Sequence, residues 1–443
     1  MSTNKQDEKI KLVKDLLKSL KEVGDVAELK KKFKDVIASV SPSEIVAIEQ
    51  QLVREGVAIT DILKLCDLHV ELFKEYLQPR VLEGVPEGHP LDLLMRENIY
   101  ILKVSESLSL YASTLKMVED VEQMRKYLDG LVGMLRELRN VRLHYRKIQM
   151  LIFPYLERRG ITTVPRVLWG REDRALTMLR QTLELVERLG SSESLDVGRV
   201  GEVATKAVEL AKEFSELVFR ENKILFPVTW ALFSEGEWVA ISEIADEIGW
   251  LVDVGERRWR PNAKPVLPYE LEVRISDSDI GKLPPEFRTT ALAGGLEPDT
   301  YKIASEGDLN LGTGFLSPEE VKAVFRSLPL EITYANLDDR VKFFSESSIF
   351  KGFVRTKTII GRKVEYCHPP RLEAFVMQNV KSVKNGEAPY KEYWTRIGGK
   401  IVRVLIAPVK GEDGKLLGVL EVVEDMTEII NKAEEIKKKI VVL

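Results

Sequence analysis

Five residues in the middle of the chain carry side chains that bind transition metals: His89, Glu97, His144, Glu172 and Glu221. Imidazole and carboxylate together suit iron, manganese or zinc equally well. His89 and Glu97 share one stretch of helical periodicity, and His144, Glu172 and Glu221 fall on three others. On a helical wheel His89 and Glu97 lie about 80° apart, so both can lean toward one core. Such a distribution, a ligand source on each helix, is what a metal site inside a bundle requires. The same residues also have a plainer reading. His89 would cap a helix, His144 would be a satisfied polar group, and the glutamates would be surface or salt-bridged. A second pair, Cys367-His368, stands just ahead of a proline-started helix. It could ligate haem or a metal, or act as a redox-sensitive thiol. Against that, Cys367 is a small residue suited to burial and His368 a loop residue suited to capping. Cys66-x-x-His69 offers one pair rather than four ligands and reads as core-facing.

Other chemistry is excluded by missing parts. Ala293-Gly294-Gly295 lacks the further glycine and lysine of a phosphate loop and reads as a turn. No Walker, dinucleotide-glycine or GxSxG pattern occurs.

These residues are positioned by a chain of changing character. Residues 5–77 read as three or four short helices, with a capping box at Ser41-Pro42-Ser43-Glu44. After Pro79, Gly84, Pro86 and Gly88, four long helices are expected over about 90–117, 120–159, 170–190 and 197–223, with a trailing one over 235–251. Helices of this length joined by short polar turns make an antiparallel bundle. Leu151-Ile152-Phe153-Pro154 and Ile224-Leu225-Phe226-Pro227 echo each other, and each is expected to close its helix at the proline. Residues 253–316 are proline-interrupted, a partly extended linker with a short strand over 269–275. From Ser317 the period shifts: a helix over 318–328 precedes strands at 330–337, 341–345, 390–397, 401–409 and 416–423, with short helical pieces around 357–364 and a helix at 370–384 between the second and third. That order gives a five-stranded antiparallel sheet with helices on one side. A charged helix follows from Thr427.

The chain has 443 residues, enough for about three domains. With 44% hydrophobic and 31% charged residues it reads as globular. The formal net charge of -4 argues against a nucleic-acid partner, and no apolar run is long enough for a membrane span. Two distant cysteines and a polar N-terminus without a signal-peptide core point to the cytoplasm.

Several motifs converge on one resemblance. Gly88-His89-Pro90 with Glu97-Asn98, His144-Tyr145 leading to Phe153-Pro154-Tyr155-Leu156-Glu157, Trp169-Gly170, and Arg220-Glu221-Asn222 leading to Phe226-Pro227 resemble hemerythrin-like HHE cation-binding domains. The whole chain resembles a family that joins an N-terminal helical domain of unknown function, an HHE-like bundle and a C-terminal PAS domain. Leu65-Cys66-Asp67-Leu68-His69, Ile360-Gly361-Arg362-Lys363-Val364 and Cys367-His368-Pro369-Pro370 look like that family too. The resemblance implies a multi-domain, mainly α protein. Its expected parts are an N-terminal helical domain over 1–78, a four-helix hemerythrin-like bundle over 85–252, a linker over 253–316, an α/β PAS domain over 317–430 and a C-terminal helix over 431–443. It also implies departures. Ile148 and Gln149 stand where the family offers a carboxylate, Glu172 where hemerythrins use histidine, and Asn222 where a second acid is expected.

PAS domains enclose a small pocket, with Cys367 and His368 expected at its mouth as candidate cofactor-binding residues. Val364 stands where light-sensing relatives carry the flavin-adduct cysteine, so photochemistry is not expected. Glu424-Asp425-Met426-Thr427 resembles the Asp-x-Thr ending at which such domains hand on a signal. The function expected is a cytoplasmic sensor with a small molecule in the PAS pocket, a protein partner or a second copy of the chain downstream, and a metal in the bundle as an open question. A di-metal oxidase-type enzyme handling oxygen or reactive oxygen or nitrogen species, and a metal-free interaction scaffold, are the alternatives.

Overall fold

The computed structural model describes residues 82, 84–192, 195–255, 259–271, 280–281 and 296–440. The expected N-terminal module, Cys66, His69 and most of the strand expected over 269–275 lie outside the described residues. The chain divides into two compact units, Met1–Tyr301 and Lys302–Leu443.

In the first unit four helices form a ring. α1 (Pro90–Leu115) packs on α2 (Val121–Leu138) and on α6 (Val197–Arg220), and α5 (Thr163–Gly190) packs on the same two. The starts of α2 and α6 are written in the sequence. Asp120 and Asp196 accept backbone N–H groups of the first turns of α2 and α6. Periodicity fixes the inward faces. Met124, Leu128, Leu131, Leu135 and Leu138 of α2, and Val203, Ala207, Leu210, Phe214 and Leu217 of α6, are all buried. Burying a leucine or phenylalanine of this kind contributes roughly 2 kcal/mol.

The second and fourth long helices do not end where their Phe-Pro motifs suggest. After α3 (Val141–Lys147) the backbone widens into a π segment, Ile148–Ile152, and continues as α4 (Phe153–Arg158). After α6 a second π segment, Glu221–Leu225, leads into α7 (Phe226–Leu232). Proline lacks an N–H and clashes with the carbonyl four residues back. Placed in the first turn after a π segment, Pro154 and Pro227 are accommodated without ending the helix. The sequence echo is therefore a repeated π bulge. α5 also begins earlier than expected, at Thr163, so that Trp169 and Gly170 lie within it.

α8 (Glu235–Ile248) opens with a capping box of Ser234 and Glu237. It stops at Gly249, whose φ of 95° a side chain would oppose. The turn carries Gly249–Leu251 onto α1 and α3. The described part of the following segment folds back on the bundle. Val266 N–H donates to Gly236 O at 3.0 Å and Tyr155 Oη donates to Val266 O at 2.8 Å.

The second unit begins with a short hairpin, β1 (Leu309–Asn310) and β2 (Phe315–Leu316), and the capped α9 (Pro318–Ser327). Its sheet comprises β3 (Leu330–Asn336), β4 (Val341–Phe344), β5 (Lys391–Ile397), β6 (Lys400–Lys410) and β7 (Leu416–Asp425). All pairs are antiparallel, in the order β4-β3-β7-β6-β5. α10 (Pro370–Lys384) lies on β6 and β7, with Val376, Val380 and Val383 against Ile406 and Val419. Two short helices, α11 (Thr427–Asn431) and α12 (Ala433–Lys438), follow the last strand. The expected mainly α, multi-domain class with a five-stranded antiparallel C-terminal sheet is what the chain adopts.

Candidate functional site

The π segments sit beside the polar heart of the bundle. His144 of α3 is fully buried with both ring nitrogens engaged. Its Nδ1 lies 2.7 Å from Glu97 Oε2 of α1, and its Nε2 lies 2.8 Å from Glu221 Oε2, at the start of the second π segment. Burial alone would lower the imidazole pKa, but Glu221 and Glu97 outweigh it and raise it to about 9. His144 is thus an imidazolium clasped between two carboxylates.

Glu97 is also engaged at both oxygens. Its Oε1 accepts the Leu251 N–H at 2.7 Å and faces Lys147 Nζ at 3.1 Å. Burial pushes this carboxyl up, but His144, Lys147 and the Leu251 amide together bring it below its ordinary value. Lys147 Nζ donates to Gly249 O at 2.7 Å and stands 4.8 Å from the centre of the Trp250 ring. Burial lowers the Lys147 pKa, partly offset by Glu97.

Glu172 of α5 joins the cluster from the other side. Its Oε2 accepts from Gln149 Nε2 at 2.6 Å. Burial, then the charge of Glu221, pushes its pKa up to about 8. Burial and the Glu221, Glu172 and Glu213 charges raise the Tyr145 hydroxyl far above its usual range. Among the described residues, Glu172 Oε1, Glu221 Oε1 and Tyr145 Oη are buried with no hydrogen-bond partner. Alongside, Asn98 donates to Asn222 at 3.1 Å, and Arg171 pairs with Glu213 and Glu216 at 3.1 and 2.8 Å.

The fifth candidate, His89, is engaged elsewhere. It is the N-cap of α1, its Nδ1 accepting the Leu91 N–H at 3.1 Å. The indoles of Trp230, Trp238 and Trp259 surround its ring, with centroids 5.3, 4.8 and 4.6 Å away. Burial lowers its pKa to about 4, so it is neutral. Sequence reasoning missed Lys147 and Tyr145. Lys147 lies three residues beyond His144, a spacing that puts both on one helix face, which is the signal that could have found it.

On the helix-facing side of the C-terminal sheet, a guanidinium stands where apolar side chains would be expected. Arg355 donates from Nε to Thr333 Oγ1 at 2.9 Å and from Nη2 to Glu421 Oε1 at 2.8 Å, and it pairs with Glu331. Glu331 also accepts the N–H groups of Gly352 and Phe353 at 3.0 and 3.1 Å. Thr333 and Glu421 are register partners on β3 and β7. Cys367 is half-buried, its Sγ 3.5 Å from Lys363 O. Burial pushes the thiol up, with the charges of Arg362, Glu421 and Arg355 also reaching it. His368 Nδ1 donates to Val364 O at 2.9 Å, which fixes the ring against the turn before α10.

Three family models match in order. Residues 13–79 match a family of unknown function (DUF438), residues 89–229 the hemerythrin HHE cation binding domain, and residues 321–427 a PAS domain. The chain joins a hemerythrin HHE domain to a PAS domain. No curated protein matches it. Among solved structures, the C-terminal domain of a Streptococcus mutans protein is 32% identical, with 28% of this chain and 96% of that one covered, at a TM-score of 0.26. The PAS domain of a Colwellia psychrerythraea protein is 16% identical, covering 25% and 97%, at a TM-score of 0.21. A sensory box sensor histidine kinase from Vibrio cholerae is 12% identical, covering 24% and 90%, at a TM-score of 0.19.

The HHE family is described as cation binding, so its donor set has to be tested against this bundle. A metal ligand needs a free lone pair. Both His144 nitrogens and both Glu97 oxygens are engaged within the protein, and His89 is held by the α1 backbone and three indoles. One oxygen each of Glu172 and Glu221 and the Tyr145 hydroxyl carry no hydrogen bond among the described residues. Among the described residues no group of three or more histidine, cysteine or acidic side chains is arranged to hold a metal ion. The residues do not fit a di-metal centre in this arrangement. Also among the described residues, no helix is long and apolar enough to cross a membrane.

Proposed function

We propose that this chain is a cytoplasmic sensor in signal transduction, its PAS domain binding a small molecule whose presence is passed to a protein partner. The observation that carries this reading is Arg355. A side chain only 9% exposed, held by Glu331, Glu421 and Thr333, is an expensive way to fill a domain interior, because charges must be stripped of water to reach it. Apolar residues would pack the same space more cheaply, so a polar network retained there favours recognition of a polar ligand. The exit from the sheet supports signal transfer. Asp425 Oδ1 accepts the Thr427 N–H at 3.0 Å, and Thr427 Oγ1 accepts the Ile401 N–H at 2.8 Å, so β6, β7 and α11 are tied at one corner. A movement of the sheet at Glu421 would be transmitted along β7 to that corner.

The test is mass spectrometry of small molecules released on denaturing the full chain purified from cells. A compound retained by the wild type in near-stoichiometric amount, and lost from Arg355→Met, is the expected result. If the wild type releases nothing and a metabolite library shifts no melting transition, the reading fails.

A further inference from the structure

The bundle has the fold of a cation-binding family, yet its donors are turned on one another. We propose that Lys147 is the resident cation of this bundle: its ammonium, rather than a metal ion, completes the cluster, and it latches the segment Gly249–Leu251 to the bundle core. The inference stands on the bundle alone and does not depend on the sensor reading.

The geometry meets each requirement of such a substitution. A cation in a buried site needs acceptors around it, and the ammonium has Gly249 O at 2.7 Å, Glu97 Oε1 at 3.1 Å and the Trp250 ring at 4.8 Å. Lys147 is 1% exposed, so these contacts stand in for its hydration shell. With His144, it supplies two cationic groups to face the carboxylates of Glu97 and Glu221. Both oxygens of Glu97 and both ring nitrogens of His144 are already engaged, so a metal ion would have to compete with a hydrogen bond and an ion pair to enter. The same oxygen of Glu97 that faces Lys147 also holds the Leu251 N–H at 2.7 Å. Two hydrogen bonds from one buried ion pair thus fix the strand of chain leaving α8, and the turn at Gly249 presents its carbonyl to the ammonium.

The decisive experiment uses the full chain expressed with iron, manganese and zinc in the medium. Metal content is read by elemental analysis after dialysis against a chelator, and the melting transition is compared with and without chelator. In parallel, amide hydrogen exchange at residues 249–251 is measured in the wild type, in Lys147→Met and in Lys147→Arg. The expected result is a wild type with far less than one metal per chain and an unchanged transition. The Leu251 amide should exchange at least tenfold faster in Lys147→Met and recover protection in Lys147→Arg. A wild type that keeps one or two metals per chain against chelator overturns the proposal, and so does a Leu251 amide equally protected with and without the charge at 147. If Lys147→Met does not fold, the wild-type metal content and chelator response still decide.

Discussion

Protonation of the buried cluster makes bundle stability depend on pH in a calculable way. The His144 imidazole, ordinarily near 6.5, is raised to about 9 in the folded chain. Its contribution is fully present below pH 6.5, where folded and unfolded chains are both protonated. It is lost as pH rises toward 9, because the unfolded chain releases the proton first. A difference of 9 minus 6.5, at about 1.36 kcal/mol per unit, is a loss of roughly 3 kcal/mol across that window. Glu172, raised from 4.5 to about 8, acts with the same sign between those values. The lowered Lys147 acts with the opposite sign as pH rises toward its ordinary 10.5. On the acid side the sign reverses. His89, lowered to about 4, is neutral when folded, so acid below pH 6.5 favours the unfolded chain, and Glu97, lowered below 4.5, adds to that arm. Between pH 4.5 and 6.5 the His89 and Glu172 slopes oppose each other, so bundle stability should be nearly level there and fall above pH 6.5. The assay is urea unfolding of the full chain followed by tryptophan fluorescence. Five of the 6 tryptophans, Trp169, Trp230, Trp238, Trp250 and Trp259, lie in the bundle unit. Glu172 adds about 2 kcal/mol between pH 6.5 and 8, so with an m-value of about 2 kcal/mol/M the midpoint should fall by roughly 2–3 M between pH 6.5 and 9. In His144→Gln the alkaline slope should shrink to what Glu172 supplies. A midpoint that is flat or rising over that window would refute the clasped imidazolium.

Two packing predictions separate the units. Phe214→Ala empties a fully buried position on α6 and should destabilise the bundle by about 3–5 kcal/mol, read from the same fluorescence transition. Gly418→Ala adds a Cβ only 2.2 Å from Ala335 O and 2.6 Å from the Tyr334 ring. It should cost the PAS sheet about 1–3 kcal/mol or more and raise hydrogen exchange along β3 and β7, leaving the tryptophan transition of the bundle unchanged.

Much of the architecture was legible because it depends on local chemistry. The Ser317 capping box announces its helix, apolar spacing gives the inward faces, and alternation with Gly398-Gly399 and Asp338-Asp339 between runs gives the hairpins. The Phe-Pro motifs were legible as a repeat but not as to their effect. Proline rules describe an α-helix, and a π bulge just upstream changes which carbonyl the ring must avoid. The short pairing of β1 with β2 was also missed, because two-residue strands carry no alternation to read.

The candidate site shows a sharper limit. Residue types said where polar groups enter the core, and Glu97, His144 and Glu221 do meet there. They could not say with what those groups are satisfied. An imidazole and two carboxylates are a ligand set if their lone pairs converge on a point, and an ion triad if they converge on one another. The difference rests on Lys147 and on a turn a hundred residues later, where Gly249 O and Leu251 N–H complete the coordination of a charge. Had residue 147 been apolar, Glu97 Oε1 would lose its cation and keep a lone pair for another. A single side chain three residues from the histidine thus decides between two chemistries for the same fold. A metal-binding prediction for any bundle of this kind should therefore begin by asking which buried lysine or arginine can reach its carboxylates.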